Sequence, residues 1–248
     1  MGTRGVVDDF ISGSGYALKG IRVFYRTSVL WKYALMPMLC VIAINGICSF
    51  LLFRVFLPVW QAALRDYFLS RGWETLAEYI GTGLWWVTLL FYIFIVNVCL
   101  GIMYEVVGAL FFERMVRYYE YWKYGHARNP GLGFRREFVN VIDSIVYSSC
   151  TLLLYVPFFL ISFFLPFLSL VLQAFFIGYR YAVSYCGESG FNRGWSLRGL
   201  QANFAGHRGL LYGFGVVSFI LLLLPFFSLF FIPGFVIGGT MMVNEERQ

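Results

Sequence analysis

The sequence predicts an all-α integral membrane protein with a single domain, residues 1–248, and three observations support this class. Hydrophobic residues make up 60% of the chain and charged residues only 13%, against about 25% charged in an ordinary soluble domain. The mean hydropathy is +0.72, which is more apolar than a soluble core of this size can hide. The charges also fall between long uncharged runs, as expected for membrane helices with interfacial connections.

Residues 8–28 are predicted to form an amphipathic helix. Lys19, Arg22 and Arg26 follow an i, i+3, i+7 spacing, which places them on one face of a helix. The other face is apolar and consists of Ala17, Leu18, Ile21, Phe24 and Tyr25. This pattern is typical of a helix that lies in the membrane interface. The alternative is a cytoplasmic helix that packs on the rest of the bundle.

Two uncharged runs are each long enough for one membrane-spanning helix. Residues 33–53 and 79–104 contain no charged side chain, and about 20 apolar residues are enough to cross the hydrocarbon core. The charge-balanced segment between them, residues 54–78, is predicted to be a loop. Residues 1–32 hold five Lys or Arg and residues 105–143 hold six. The positive-inside rule therefore places these two segments in the cytoplasm and the 54–78 loop outside.

Two further uncharged runs, residues 144–179 and 209–244, repeat one pattern. Each is 36 residues long, and each has a pair of prolines near its middle, namely Pro157 with Pro166 and Pro225 with Pro233. An arm of about 15 residues rises roughly 22 Å, which is short of the roughly 30 Å hydrocarbon core. Because proline breaks a helix, each run predicts a hairpin that penetrates the membrane only partway. Two pairs of short but complete spans are the alternative. Broken hairpins in corresponding halves are typical of a transport site.

Several short motifs occur along the chain in an order that resembles one family. They are ALMPML at residues 34–39, the Tyr185-Cys186 pair, GHRGLLYGFG at 206–215 and IPGFVIGGT at 232–240. Together they resemble the CysZ sulfate-transporter family, which shares the etoposide-induced-protein domain. The resemblance implies two long spans and two hemi-penetrating hairpins in a bacterial inner-membrane protein. It also implies an oligomer that takes up sulfate for cysteine biosynthesis.

The resemblance further implies a sulfate site just before the first long helix, where the family carries a Pro-Gly pair and two arginines. The corresponding stretch here is SVLWK at residues 28–32, in which only Lys32 keeps a cation. A dianion needs several converging donors. Arg26 would supply a second cation, and Thr27 and Ser28 would supply hydroxyl groups. The alternative is that Lys32 simply marks the cytoplasmic edge of a span.

Arg208 is the fifth candidate for binding the substrate. It lies between the two predicted hairpins, where a basic vestibule would concentrate anions. The positive-inside bias of cytoplasmic segments is the alternative explanation for this residue.

The sequence favours transport of sulfate or a related small anion, with a non-transporting scaffold that shapes the membrane as the alternative function. The five cysteines are scattered, only two histidines are present, and nucleotide-binding, metalloprotease and serine-hydrolase motifs are absent. We therefore expect no enzyme activity, no cofactor and no metal site.

The expected partners are a small inorganic anion, membrane lipids and further copies of the chain. The net charge is +6, but the basic residues flank apolar runs, as expected for contact with anionic lipid headgroups. We therefore expect no nucleic-acid binding. The expected location is the inner membrane, with both termini cytoplasmic.

Overall fold

The computed structural model describes residues 5–125, 142, 146–147, 149–150, 153–158, 160–162, 164–224 and 228–246, and all regular structure in these ranges is helical. The predicted all-α class is confirmed. Three of the described segments are long and apolar enough to cross a membrane, and they are Ser28–Ser70, Pro166–Asn192 and Ala205–Leu222.

The chain divides into two compact units. The first comprises Met1–Met38 with Gly101–Gln248, and the second comprises Leu39–Leu100. The single membrane domain over residues 1–248 stays a prediction.

Helix α1 (Val6–Arg26) covers most of the predicted amphipathic segment, and α2 (Ser28–Leu51) follows it after a single residue. Thr27 separates the two helices because its backbone is extended, with φ −107° and ψ 91°. A five-residue π-helical segment, Leu52–Phe56, then leads into α3 (Leu57–Ser70). The predicted span at residues 33–53 therefore lies inside a longer helical stretch.

The prediction of a loop over residues 54–78 was wrong for most of its length. The helix continues to Ser70, and only residues 71–73 separate it from α4 (Glu74–Tyr124). The turn contains Gly72 at a φ of 75°, a conformation that favours glycine. Balanced charges do not break a helix, and Pro58 directly follows the π-helical segment Leu52–Phe56, where the regular hydrogen-bond pattern of the helix already changes. The predicted span at residues 79–104 lies within α4.

The unit Leu39–Leu100 pairs α2 with the first part of α4 through polar and aromatic contacts. The hydroxyl groups of Ser49 and Tyr92 are hydrogen-bonded. The ring of Phe53 lies edge-on to that of Tyr92, with 5.3 Å between the ring centroids, and 6.3 Å from that of Trp85. Several large apolar side chains of this unit are exposed, among them Ile47, Phe50, Trp60 and Trp86. Such a surface is expected to face lipid.

In the first predicted hairpin, a short helix, Leu153–Ser162, packs antiparallel to α5 (Pro166–Asn192). The Tyr155 and Tyr181 hydroxyl groups are 2.8 Å apart, and nearer the turn the Ser169 hydroxyl donates to the Phe158 carbonyl at 2.7 Å. The chain reverses at residue 165, directly before a proline. Residues 144, 145, 148, 151, 152, 159 and 163 of this predicted hairpin lie outside the described ranges.

The predicted length of the second arm of this hairpin needs correction. Helix α5 does not end with the uncharged run but continues through Arg180 and Glu188 to Asn192, for 27 residues in all. A helix of this length rises about 40 Å, which is enough to cross the hydrocarbon core. Arg180 is accommodated because its guanidinium donates to the Tyr147 carbonyl at 2.6 Å and lies over the Tyr147 ring at 3.9 Å. Partial penetration of the membrane stays a prediction for both hairpins.

The second predicted hairpin corresponds to α7 (Arg208–Leu222) and α8 (Ser228–Glu245). A short helix, α6 (Leu197–Asn203), and a 3₁₀ turn, Ala205–His207, precede it. Pro225 lies outside the described residues. Pro233 was expected to end an arm, yet it lies inside α8. The helix tolerates it because the proline stands near the helix start, where only the hydrogen bond to the Leu229 carbonyl is lost.

The core of the first unit forms where α1 packs on α7 and α8. The buried residues of α1 are Asp9, Gly13, Ala17, Gly20 and Phe24. A Cβ atom on Gly13 would collide with the Leu210 backbone, and one on Gly20 would collide with Gly234 and Gly238. The backbones therefore approach closely, as in small-residue contacts between membrane helices.

This packing corrects the predicted apolar face of α1. Ala17 and Phe24 are buried, but Leu18 is 54% exposed and Tyr25 is 42% exposed. The buried face is made of small residues because the partner backbones come so close. The helix packs on the bundle, and an apolar stripe of Val7, Ile11, Leu18 and Tyr25 points outward. The position of α1 in the membrane interface stays a prediction.

Candidate anion-binding corner

Four of the five predicted substrate residues lie together where α1 meets α2, and we call this place the α1–α2 corner (residues 26–32). Arg26 ends α1, Thr27 forms the bend, and Ser28 begins α2, with Lys32 one turn further on. The Thr27 N–H donates to the Val23 carbonyl at 3.1 Å, and the Thr27 carbonyl accepts from the Leu30 N–H at 3.0 Å. These bonds fix the bend, so the start of α2 has a defined position.

The electrostatics of the α1–α2 corner favour an anion. The first turn of α2 contains no acidic residue, and the first N–H groups of a helix give it a partial positive charge. Arg26 and Lys32 are both exposed, and neither has an ion-pair partner among the described residues. Two uncompensated cations thus lie on either side of a helix N-terminus.

The aromatic residue within the α1–α2 corner has a structural role. The Trp31 ring stacks on the Phe24 ring with 5.3 Å between centroids, and it meets the Tyr25 ring edge-on at 5.4 Å. Trp31 therefore packs the two helices together, and the candidate donors for an anion are its neighbours.

Arg208 does not join this group. It begins α7, and the neighbouring His207 places its Nδ1 atom 3.1 Å from Oδ2 of the buried Asp9, near the start of α1. Asp9 and Thr27 are separated by 18 residues of α1, which corresponds to roughly 27 Å of helix. Arg208 is exposed at the opposite end of α1 from the corner.

A groove near the start of α2 was missed by the sequence reasoning. We call it the Arg114–Arg117 groove, and its lining residues are Tyr33, Arg114, Arg117, Tyr118 and Tyr121, around a volume of about 500 Å³. The Tyr33 and Tyr118 ring centroids are 6.1 Å apart, so α2 and α4 meet here. The arginines were read as part of a cytoplasmic flank, and only the contact with Tyr33 distinguishes them from ordinary flanking charges.

A buried polar network near the C-terminal end of the bundle was also missed. The Glu120 carboxylate, 2% exposed, accepts from the Ser189 hydroxyl at 2.7 Å and from the Asn244 amide at 3.0 Å. The Asn244 carbonyl oxygen in turn accepts from the Arg193 guanidinium at 2.5 Å. We call these four residues the Glu120 network. It ties α4, α5 and α8 together, with a neutral amide between the buried acid and the arginine.

A second cluster of charges lies at the end of α8. The Glu245 carboxylate is 2.8 Å from the Lys123 ammonium and 3.5 Å from that of Lys19, and it accepts from the Tyr124 hydroxyl at 3.2 Å. Partial burial by itself would raise the pKa of Glu245, but the two lysines and the Tyr124 hydroxyl outweigh burial and hold the pKa below its ordinary value. The ionised carboxylate therefore joins α1, α4 and α8 at neutral pH.

These features define a class of protein, namely an all-helical membrane protein with a basic corner between its first two helices. The sequence matches the family described as Sulfate transporter CysZ/Etoposide-induced protein 2.4 over residues 16–233, and the chain belongs to this family. The match spans the α1–α2 corner and the Arg114–Arg117 groove. No individual curated protein matches the sequence. The family is a transporter-type membrane family, so the membrane class rests on both the apolar helices and the sequence.

Proposed function

We propose that this protein transports sulfate or a related small inorganic anion across the bacterial inner membrane and so supplies sulfur for assimilation. The observation that carries the proposal is the α1–α2 corner, where Arg26 and Lys32 lie beside the start of a membrane-length helix and have no acidic partner in the described ranges of the chain. Membership of the sulfate-transporter family supports the choice of anion.

The α1–α2 corner would bind the anion by combining three kinds of donor. The N-terminus of α2 offers N–H groups and a partial positive charge. Thr27 and Ser28 add hydroxyl donors, and Arg26 and Lys32 add full charges. Because Arg208 is at the far end of α1, it would act separately by raising the local anion concentration. The distribution of Lys and Arg supports a cytoplasmic position for both termini.

Reversing the charge of Lys32 tests this proposal with a single substitution. In proteoliposomes, Lys32→Glu should lower sulfate uptake by about tenfold or more, because it places a like charge beside the bound dianion. The matched control is Arg65→Glu, since Arg65 is equally exposed but lies on α3. Equal uptake by both variants would remove Lys32 from the site.

A scaffold that shapes the membrane is the second candidate function. It is favoured by the outward apolar stripe of α1, in which Val7 is 69% exposed and Ile11 63%, because such a stripe can insert among lipid headgroups. A scaffold would bind or bend vesicles without carrying sulfate, so flux separates the two functions.

A further inference from the structure

The Arg114–Arg117 groove has more hydrogen-bond donors than the protein itself uses. Arg114 is exposed and has no acidic partner among the described residues. Arg117 forms an ion pair with Glu113 on the same helix, yet its Nε atom is buried without a hydrogen-bond partner in the described part of the chain. Of the two guanidinium groups in the groove, only that of Arg117 is paired with a carboxylate in the described part of the chain, and the groove therefore keeps a positive charge and an unused donor.

The lining of the groove matches the chemistry of an oxyanion. A guanidinium group presents several N–H donors in a planar fork that fits phosphate and sulfate oxygens. The three tyrosines of the groove can add hydroxyl donors and provide flat apolar walls. Its volume of about 500 Å³ lies within the usual range for ligand sites, which is room for more than one small ion with its water.

The groove also lies where the uncharged run of α2 begins, which is the expected level of membrane entry. Tyr33 is the first residue of the uncharged run that follows Lys32. On the α4 side, Tyr121 is 69% exposed and Trp122 is 58% exposed, and exposed tyrosine and tryptophan are enriched at the headgroup level of membrane proteins. A phosphate on a lipid would meet the groove at this depth.

We infer that the Arg114–Arg117 groove binds a tetrahedral oxyanion group, carried either by an anionic phospholipid or by free sulfate. The site is distinct from the α1–α2 corner, because its charges come from α4. It does not depend on the transport activity proposed above, and a chain that carries no sulfate would still bind the group.

Binding to the full-length protein tests this inference in two arms. In one arm, sodium sulfate is titrated into protein in a neutral detergent and the heat of binding is measured, with every chain in this arm carrying Lys32→Glu so that the α1–α2 corner does not contribute. In the other arm, native mass spectrometry counts the phosphatidylglycerol molecules kept by protein released from mixed phosphatidylcholine–phosphatidylglycerol nanodiscs. The test variant is the double substitution Arg114→Gln and Arg117→Gln. The control, Arg22→Gln with Arg65→Gln, removes the same net charge from exposed sites on α1 and α3.

The expected result is a loss of about tenfold or more in affinity or retention in one arm for the test variant, with the control within about twofold of the original chain. Loss in the lipid arm identifies a headgroup, and loss in the sulfate arm identifies the free ion. If the test and control pairs behave alike in both arms, the inference is overturned.

Two single substitutions test the inference even if the double variant does not fold. Arg114→Gln breaks no ion pair among the described residues, and Tyr118→Phe removes a hydroxyl group while keeping the ring that packs near Tyr33. Each should weaken binding in the same arm as the double variant while the thermal unfolding temperature stays unchanged. Binding that stays at the original level in both singles would contradict the inference.

Discussion

Asn244 occupies a central place in the Glu120 network, because its side chain bonds in both directions. Its amide nitrogen donates to Glu120 and to the Thr240 carbonyl, at 3.0 and 2.8 Å. Its oxygen accepts from Arg193. One neutral side chain therefore links a buried acid to a partly buried base. Buried polar groups of this kind are stable only while every partner is present.

Replacing Asn244 should therefore destabilise the protein more than its size suggests. We expect Asn244→Ala to lower the free energy of unfolding by about 2 to 4 kcal/mol, because it removes one hydrogen bond from the buried Glu120 carboxylate and one from the Arg193 guanidinium. Thermal unfolding in detergent measures the effect. Asn203→Ala is the control, since Asn203 is exposed at the end of α6. A variant at 244 that unfolds at the same temperature as this control would show that the network adds no stability.

At the scale of secondary-structure elements, the contact between α1 and the second hairpin depends on glycine. Gly213 on α7 abuts the Phe10 carbonyl, and the Ser14 hydroxyl donates to the Phe10 and Gly213 carbonyls at 2.9 and 3.2 Å. Gly238 on α8 meets the Tyr16 backbone. Because backbone meets backbone, no rotation of a side chain can make room for an added methyl group.

A pair of glycines on α1 provides an internal comparison. Gly13→Ala should destabilise the protein by more than about 2 kcal/mol, because the new Cβ would collide with the Leu210 carbonyl. Gly15→Ala should instead stabilise it by up to about 1 kcal/mol, because no atom lies within 4 Å of a Cβ there and alanine favours the helix. Unfolding in denaturant compares the two variants. Similar values for both would contradict the close packing of α1.

The helices could be predicted from the sequence, whereas their contacts could not. Uncharged runs and the proline at 166 indicated α2, α4 and the start of α5, because apolar length and proline act locally. The end of α5 was missed, since Arg180 is stabilised by Tyr147 from another segment. The buried glycine face of α1 was missed for the same kind of reason. Glycine adds nothing to a hydrophobic pattern, and its role here is to let the backbone of another helix approach closely.

The candidate site was predictable to the same extent. Arg26, Thr27, Ser28 and Lys32 are close in sequence, so one bend brings them together. Arg208 lies far along the chain, and only the packing of α7 on α1 shows that it belongs to the other end of that helix. The Arg114–Arg117 groove needed the contact between α2 and α4, which no short motif encodes.

At the scale of the whole molecule, the distribution of charge and apolar surface agrees with a membrane transporter of the sulfate-transporter family. Basic residues outnumber acidic ones by 19 to 13, and in the described residues the candidate sites lie at the ends of apolar helices rather than within them. Anions would thus gather at the membrane surface before they enter. This arrangement accounts for binding and concentration of an anion, and the central claim is that the anion then crosses.

Uptake of labelled sulfate into liposomes that carry the purified protein tests this claim most directly, with selenate, phosphate and chloride as competitors and protein-free liposomes as the control. We expect uptake that saturates with sulfate concentration, because a limited number of sites binds the ion. Selenate should compete most strongly, because it has the same shape and charge. Uptake that equals the protein-free control, in liposomes where an active family member carries sulfate, would contradict the account.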